Sequence, residues 1–235
     1  MRLDKFLADA GIGTRTEVKS LIKKGKVLVN GEIIKKPEMK IDEKKDEIIC
    51  EGENLSYQEH YYYMLNKPAG VVSATEDNRC ETVLDILDAP VKKNLFPVGR
   101  LDKDTEGLLL ITDDGELAHQ LLSPRKHIGK VYYAKIDGCV TKEDVQRFKE
   151  GLSLGDFEAL PAELTILKQG VTSEIELLIY EGKFHQVKRM FEAVGKKVTY
   201  LKRLSVGSLK LDETLLPGES RLLTEEEINA LKNRS

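Results

Sequence analysis

The chain has 235 residues, 40% of them hydrophobic, with a formal net charge of −3, so it can form one sizeable core or a small domain joined to a larger one, and its overall charge does not announce a nucleic-acid partner. No apolar run approaches the roughly 20 residues that span a bilayer, and charges interrupt the apolar positions of MRLDKFLADAG, unlike a signal peptide, so a soluble cytoplasmic protein is expected. Cys50, Cys80 and Cys139 are odd in number, far apart and unaccompanied by histidines at ligand spacing, which leaves them incidental thiols and gives no support to a metal site.

The charge is unevenly distributed. Residues 1 to 36 carry nine Lys or Arg against four acids, and residues 183 to 203 carry seven against Glu192 alone, two basic islands on an otherwise acidic chain. In the first island Leu3, Phe6, Leu7 and Ala10 recur at helical spacing until Gly11 and Gly13 break the pattern. Thr14 and Glu17 form a capping box for a second helix, with Val18, Leu21 and Ile22 on its apolar side and Arg15, Lys19 and Lys23 on its wet side. After Gly25, KVLVNGEII reads as two strands around Asn30-Gly31, the signature of a type I′ hairpin.

This order of helix, helix and hairpin, with LDKFLADAG, TRTEVKSLIKKGKVLVNG and a closing strand near DEIIC, resembles the S4 RNA-binding domain over residues 1 to 52. The resemblance implies that Arg15, Lys19, Lys23, Lys24 and Lys26 form a basic surface that holds structured RNA through backbone and shape contacts. A charged stretch from Glu51 to Glu59 reads as a linker, placing the domain boundary near residue 58.

From residue 59 to 235, strands alternate with shorter helices. YYYMLN, GLLLITDDG, KVYYAKIDG and SEIELLIYEG read as strands; GELAHQLL, TKEDVQRFKEGL, HQVKRMFEAVG and TEEEINALKN read as helices. Their order predicts an α+β domain around a mostly antiparallel sheet.

There is no GxGxxG after a strand, no P-loop, no HExxH and no GxSxG. Cofactor-free chemistry by carboxylates remains, among 40 acids that are mostly surface charges. FPVGRLDKDTEGLLLITDDGEL stands out because it places Arg100, Asp102, Asp104 and Glu106 on a turn beside an apolar strand, while Asp113-Asp114-Gly115 reads as a turn capping the next helix. The residues alone do not choose among Asp102, Asp104 and Glu106.

GRLDKDTEGLLLITDDG resembles the catalytic motif of pseudouridine synthases, specifically the small-subunit ribosomal (RsuA) type, and LNKPAGVVSA, KVYY and EGKFHQVKRMF follow that family's order. The resemblance implies an rRNA pseudouridine synthase that needs no cofactor, with Asp102 as the reacting carboxylate and Tyr132 against the target uridine. It also implies that Lys188, which stands where many relatives have arginine, faces Asp102 and supports its charge. Strand alternation turns Tyr132 inward with Ala134 and Ile136, whereas Lys188 sits at the edge of an apolar stripe with Val187, Met190 and Val194, where it must find a partner or snorkel. The resemblance implies Arg100 near the space left by the extruded base, with a phosphate contact as its competing role; Lys183 and Arg189 are expected at RNA phosphates or solvent, and His185 in a hydrogen bond at a helix start. Lys67 and Pro68 read as a rigid turn at the rim. The expected partner is 16S rRNA or a small-subunit assembly particle, met by a monomer. The competing readings are a synthase acting on 23S rRNA and a noncatalytic S4-type RNA-binding or ribosome-assembly protein; hydrolysis by paired carboxylates lacks a second acid in the proposed pocket.

Overall fold

The computed structural model describes residues 1–43, 45–55, 60–90, 92 and 94–233, and its contacts divide the chain into two units, Met1–His60 with Ala89–Lys93, and Tyr61–Asp88 with Asn94–Ser235. The reading of Glu51 to Glu59 as a linker is corrected in its first half, where Glu51 and Gly52 turn the chain and Glu53–Leu55 pairs as a strand with Ile48–Cys50; residues 56–59, around the expected boundary at 58, lie outside the described residues.

In the first unit, α1 (Leu3–Asp9) and α2 (Arg15–Lys23) precede β1 (Val27–Val29), β2 (Glu32–Ile33), β3 (Ile48–Cys50) and β4 (Glu53–Leu55), which pair in the order β2-β1-β3-β4. The expected capping box starts α2: Thr14 Oγ1 accepts from the Glu17 N–H while the Glu17 carboxylate accepts from the Thr14 N–H at 2.7 Å. Val18 and Ile22 are buried with Leu3, Phe6, Leu7, Val27 and Ile48 in one core. Asn30 and Gly31 both take positive φ, 52° and 81°, as a two-residue I′ turn requires, and set the register Val29 opposite Glu32. Burying one face leaves Arg15, Lys19, Lys23, Lys24 and Lys26 exposed.

The second unit runs through β5 (Tyr62–Lys67), β6 (Phe96–Pro97), β7 (Glu106–Thr112), α3 (Gly115–Leu122), β8 (Lys130–Asp137), α4 (Lys142–Glu150), β9 (Leu152–Ser153), β10 (Glu158–Ala159), β11 (Glu163–Lys168) and β12 (Thr172–Ile179). It closes with α5 (Gln186–Ala193), β13 (Lys197–Val206), β14 (Leu209–Lys210), β15 (Ser220–Leu222) and α6 (Glu225–Lys232). The main sheet has the order β11-β12-β8-β13-β7-β5-β15, and β13 with β7 is the parallel neighbour pair in an otherwise antiparallel path. This is the expected α+β architecture. Asp114 caps α3 by accepting from the Leu117 N–H at 2.9 Å, and also accepts from the Tyr62 hydroxyl at 2.7 Å. On one side of the sheet Tyr62, Met64, Leu108 and Leu110 pack with Leu117 and Leu121 of α3.

β13, the central ten-residue strand, is absent from the sequence reading, which took its lysines and arginine as a basic surface. In the fold this island is divided. Arg203 is buried, and Lys196 is ion-paired with the buried Asp144 at 2.9 Å. The available signal was the alternation of Val198, Tyr200, Leu204 and Val206, although these are only partly buried and the buried residues are Leu201, Arg203 and Ser205.

Candidate active site

Asp102 sits on the turn between β6 and β7, and the turn is built from below. The Thr105 N–H donates to the Asp102 carbonyl at 3.0 Å. Ser73 Oγ donates to the Leu101 carbonyl at 2.9 Å and accepts from its N–H at 3.0 Å, and the Gly70 N–H donates to the Lys103 carbonyl at 2.7 Å. Lys67 is the third support. Its side chain is fully buried, and Nζ donates to the carbonyls of Pro68 and Thr105 at 2.9 Å each and of Lys103 at 3.3 Å. Loss of water pushes this ammonium down to about 8, with Asp104, Glu106 and Asp102 pulling it back up. The reading of Lys67 as part of a turn at the rim is therefore corrected: it is an internal strut at the end of β5, and its carbonyl partners Lys103 and Thr105 are too distant in sequence to be seen locally.

Gly107, the second residue of β7, has φ +99°, and a side chain there would run into the Arg203 backbone, with its nitrogen only 2.7 Å away. Only glycine lets β7 and β13 approach closely enough to form the parallel pair Arg203 opposite Gly107.

A cavity of ≈ 120 Å³ opens against Asp102, with Arg100, Tyr132, Lys188, Lys130 and Arg203 among its lining residues. Tyr132 is buried in β8 with Ala134 and Ile136, as alternation predicts, and Arg100 is exposed at the cavity wall. Lys188 arrives from α5, which is anchored by buried Val187, Met190 and Phe191, the last packed on Phe148 with ring centroids 4.9 Å apart. Its Nζ lies 3.0 Å from the Asp102 carboxylate and 2.7 Å from that of Asp104. Burial alone would lower Lys188, but its hydrogen bonds to Asp104 and Asp102 outweigh burial and raise it. Lys188 is thus a firm cation at neutral pH, and its hydrogen bond in turn lowers Asp104. Asp104, which the residues alone did not separate from Asp102, shares the lysine.

His185 departs from expectation. It precedes α5 in a left-handed conformation, φ 50°, and its side chain makes no cap hydrogen bond; its ring stacks on exposed Phe184 at 3.7 Å, with Nε2 3.7 Å from Asp102. The side chain at the helix start is Gln186, whose Oε1 accepts from the Lys183 N–H at 3.0 Å. Lys183 is exposed with Nζ 4.0 Å from the Phe157 ring centroid. Arg189 is engaged within the protein, donating to the Leu154 carbonyl at 2.7 Å, paired with Asp156 and set over Phe157. Those contacts fasten the β9–β10 hairpin and occupy the guanidinium that sequence reading assigned to phosphate or solvent.

The described residues contain no group of three or more His, Cys, Asp or Glu arranged to hold a metal ion, and no helix long and apolar enough to cross a membrane.

An acid on a braced loop, ion-paired with lysine and facing a buried tyrosine, belongs here to a recognisable class: residues 61–193 match the RNA pseudouridylate synthase family and residues 1–48 match the S4 domain. The chain belongs to the RNA pseudouridylate synthase family. It is 47% identical to an uncharacterized RNA pseudouridine synthase of Bacillus subtilis, over 98% of each chain. It is 42% identical to ribosomal small subunit pseudouridine synthase A of Vibrio parahaemolyticus, over 99% of this chain and 100% of the relative, and 39% identical to ribosomal large subunit pseudouridine synthase B of Bacillus subtilis, over 98% and 95%. A crystal structure of a pseudouridylate synthase superposes with a TM-score of 0.69 at 40% identity, covering 98% of this chain and 99% of that one.

Proposed function

We propose that this chain isomerises one uridine of small-subunit (16S) ribosomal RNA to pseudouridine, acting as a monomer in the cytoplasm on the RNA or on an assembly particle. The observation that carries the reading is the Asp102 carboxylate 3.0 Å from Lys188 in a cavity that Tyr132 also lines. The reaction breaks C1′–N1, turns the uracil and joins C1′ to C5, without net redox change. An ionised carboxylate serves it by attacking C1′, by removing the 2′ proton or by adding to the ring. Lys188 pairs with that carboxylate and orients it, and Tyr132 offers a face on which an extruded base stacks. Arg100, exposed at the cavity wall, is placed to fill the gap the base leaves. Residues 1–58 act as the RNA-holding domain, through Arg15, Lys19, Lys23, Lys24 and Lys26, and residues 59–235 as the catalytic domain. Lys183 adds a phosphate contact at the rim.

Small-subunit RNA is supported by the relatives named for it at 42% identity; the 39% relative named for the large subunit favours 23S RNA as the second reading. Mapping pseudouridine in both RNAs from cells with and without the protein separates them. One small-subunit position should revert to uridine when the protein is absent. Reversion of a large-subunit position instead would move the substrate, and no change in either RNA would leave a noncatalytic S4-type binding protein.

A further inference from the structure

Two cations of the cavity have no part in the Asp102–Lys188 pair. Lys130 begins β8, two residues before Tyr132, and Arg203 is the register partner of Tyr132 on β13. Alternation and cross-strand pairing therefore send all three side chains off the same side of the sheet, against the cavity that Asp102 lines. Both cations are buried, Lys130 at 9% exposure and Arg203 at 3%.

A buried cation ordinarily comes with a carboxylate, because stripping it of water is otherwise expensive. Among the described residues neither has one within 4 Å. Lys130 Nζ donates to the Ile128 carbonyl at 3.2 Å; Arg203 Nε donates to the Leu108 carbonyl at 2.8 Å, while its Nη2 reaches no acceptor. Burial, and then the neighbouring Arg203 charge, push Lys130 down, with Glu181 pulling the other way. Two positive charges held together against desolvation call for negative charge in the cavity, and the unreacted uracil ring is neutral.

We propose that Lys130 and Arg203 stabilise the negative charge that the uracil ring acquires during the isomerisation. The inference rests on the synthase reading above. If Asp102 attacks C1′, the C1′–N1 electron pair leaves with the ring as Asp102 forms an ester bond to C1′. If Asp102 takes the 2′ proton, the same pair leaves with the ring and a C1′–C2′ double bond forms. If Asp102 adds to the ring, the ring becomes an enolate. On the first two routes the ring carries one negative charge over N1 and its carbonyl oxygens, and on the third over C5 and the adjoining carbonyl oxygen. As C5 bonds to C1′, the Asp102 ester bond to C1′ breaks on the first route, the proton returns from Asp102 to C2′ on the second, and on the third C1′–N1 breaks and Asp102 leaves the ring; the C5 proton is then lost and N1 gains one. The cations meet a full charge only in the reacting state, so they act on rate rather than on RNA affinity.

The test compares RNA bearing uridine or 5-fluorouridine at the target, in single turnovers of the full chain, scored by loss of the target nucleoside on digestion. Fluorine at C5 withdraws electrons and lets the ring hold its charge with less help. Lys130→Met should slow the uridine reaction about 100-fold, in the range of a lost oxyanion donor, and the fluorinated one no more than about 10-fold. RNA affinity and circular dichroism should stay at wild-type values, and Lys130→Arg should restore most of the uridine rate. Should Lys130→Met fail to fold, Arg203→Lys, which keeps a charge but loses the planar fork, carries the same comparison. Equal slowing of both substrates would overturn the inference in favour of a packing role, and weakened RNA binding would overturn it in favour of a phosphate contact. A wild-type chain that forms no pseudouridine would remove the synthase reading and this one with it, an outcome visible without any variant.

Discussion

Lys67→Met tests whether the reacting loop is held from within. The substitution keeps an unbranched side chain of similar length but removes the ammonium that donates to Pro68 and Thr105 at 2.9 Å and Lys103 at 3.3 Å. Charged hydrogen bonds are worth about 1.5–3 kcal/mol each, so losing the two short ones forfeits about 3–6 kcal/mol. Against this stands the cost of keeping the ammonium dry. Its displacement from 10.5 to about 8 corresponds to about 3 kcal/mol, which methionine does not incur. The net expectation is a loss of about 2 kcal/mol, seen as a fall in Tm of roughly 4–8 °C. Because two of the three carbonyls belong to the Asp102 loop, turnover should fall further, on the order of 100-fold for a displacement of about 1 Å. Alkali supplies a second check. Lys67 is harder to protonate folded than unfolded, so between about pH 8 and 10.5 the unfolded chain binds more protons and stability rises with pH through this group. The penalty is fully present below about 8, and wild type should gain on Lys67→Met as pH climbs through that window. Thermal melts across pH and single-turnover assays measure both effects. A variant with wild-type Tm and wild-type rate would refute the bracing argument.

Asp102→Asn should fold, bind RNA and yield no pseudouridine, whereas Asp104→Asn should stay active because Lys188 then pairs with Asp102 alone; product from Asp102→Asn in a time course would assign the chemistry elsewhere. Lys188→Met should depress turnover on the order of 100-fold with little change in RNA affinity, and Lys188→Arg should be far milder, which a kcat measurement beside a binding titration resolves. Reversing charge in the first unit by Lys19→Glu with Lys23→Glu should weaken RNA binding and flatten its salt dependence, by roughly one to two units of slope for two lost phosphate contacts; an unchanged slope would clear α2 of RNA contact.

Local rules were legible where partners are near in sequence. Thr14 with Glu17, Asn30 with Gly31, and Asp114 before α3 each declare a geometry within a few residues, and the alternation in KVYYAKID put Tyr132 inside. Asp102 was singled out by resemblance, since composition and spacing could not separate it from Asp104. What escaped depends on distant contacts. Lys67 looks like any lysine before a proline until its acceptors 36 and 38 residues away are in place. Arg203 reads as surface charge until β7 and β8 flank it, and Arg189 reads as free until the 152–159 hairpin folds under it. His185 was misjudged because its left-handed backbone turns the ring onto Phe184 instead of toward the helix amides.

The parallel seam between β7 and β13 bears on the order in which the molecule acquires its abilities. It is registered by two residue pairs, Lys202 with Glu106 and Arg203 with Gly107, and Arg203 reaches the Leu108 carbonyl across 95 positions of chain. Contacts that close so long a loop form late, after hairpins such as β11–β12 and the self-contained core of the first unit. Asp102 lies on the β7 side of that seam, and Tyr132 and Lys188 come from the chain segments on its other side. A nascent chain can therefore complete the core of its first unit before Asp102, Tyr132 and Lys188 line one cavity, which exists only when the two halves of the sheet have joined.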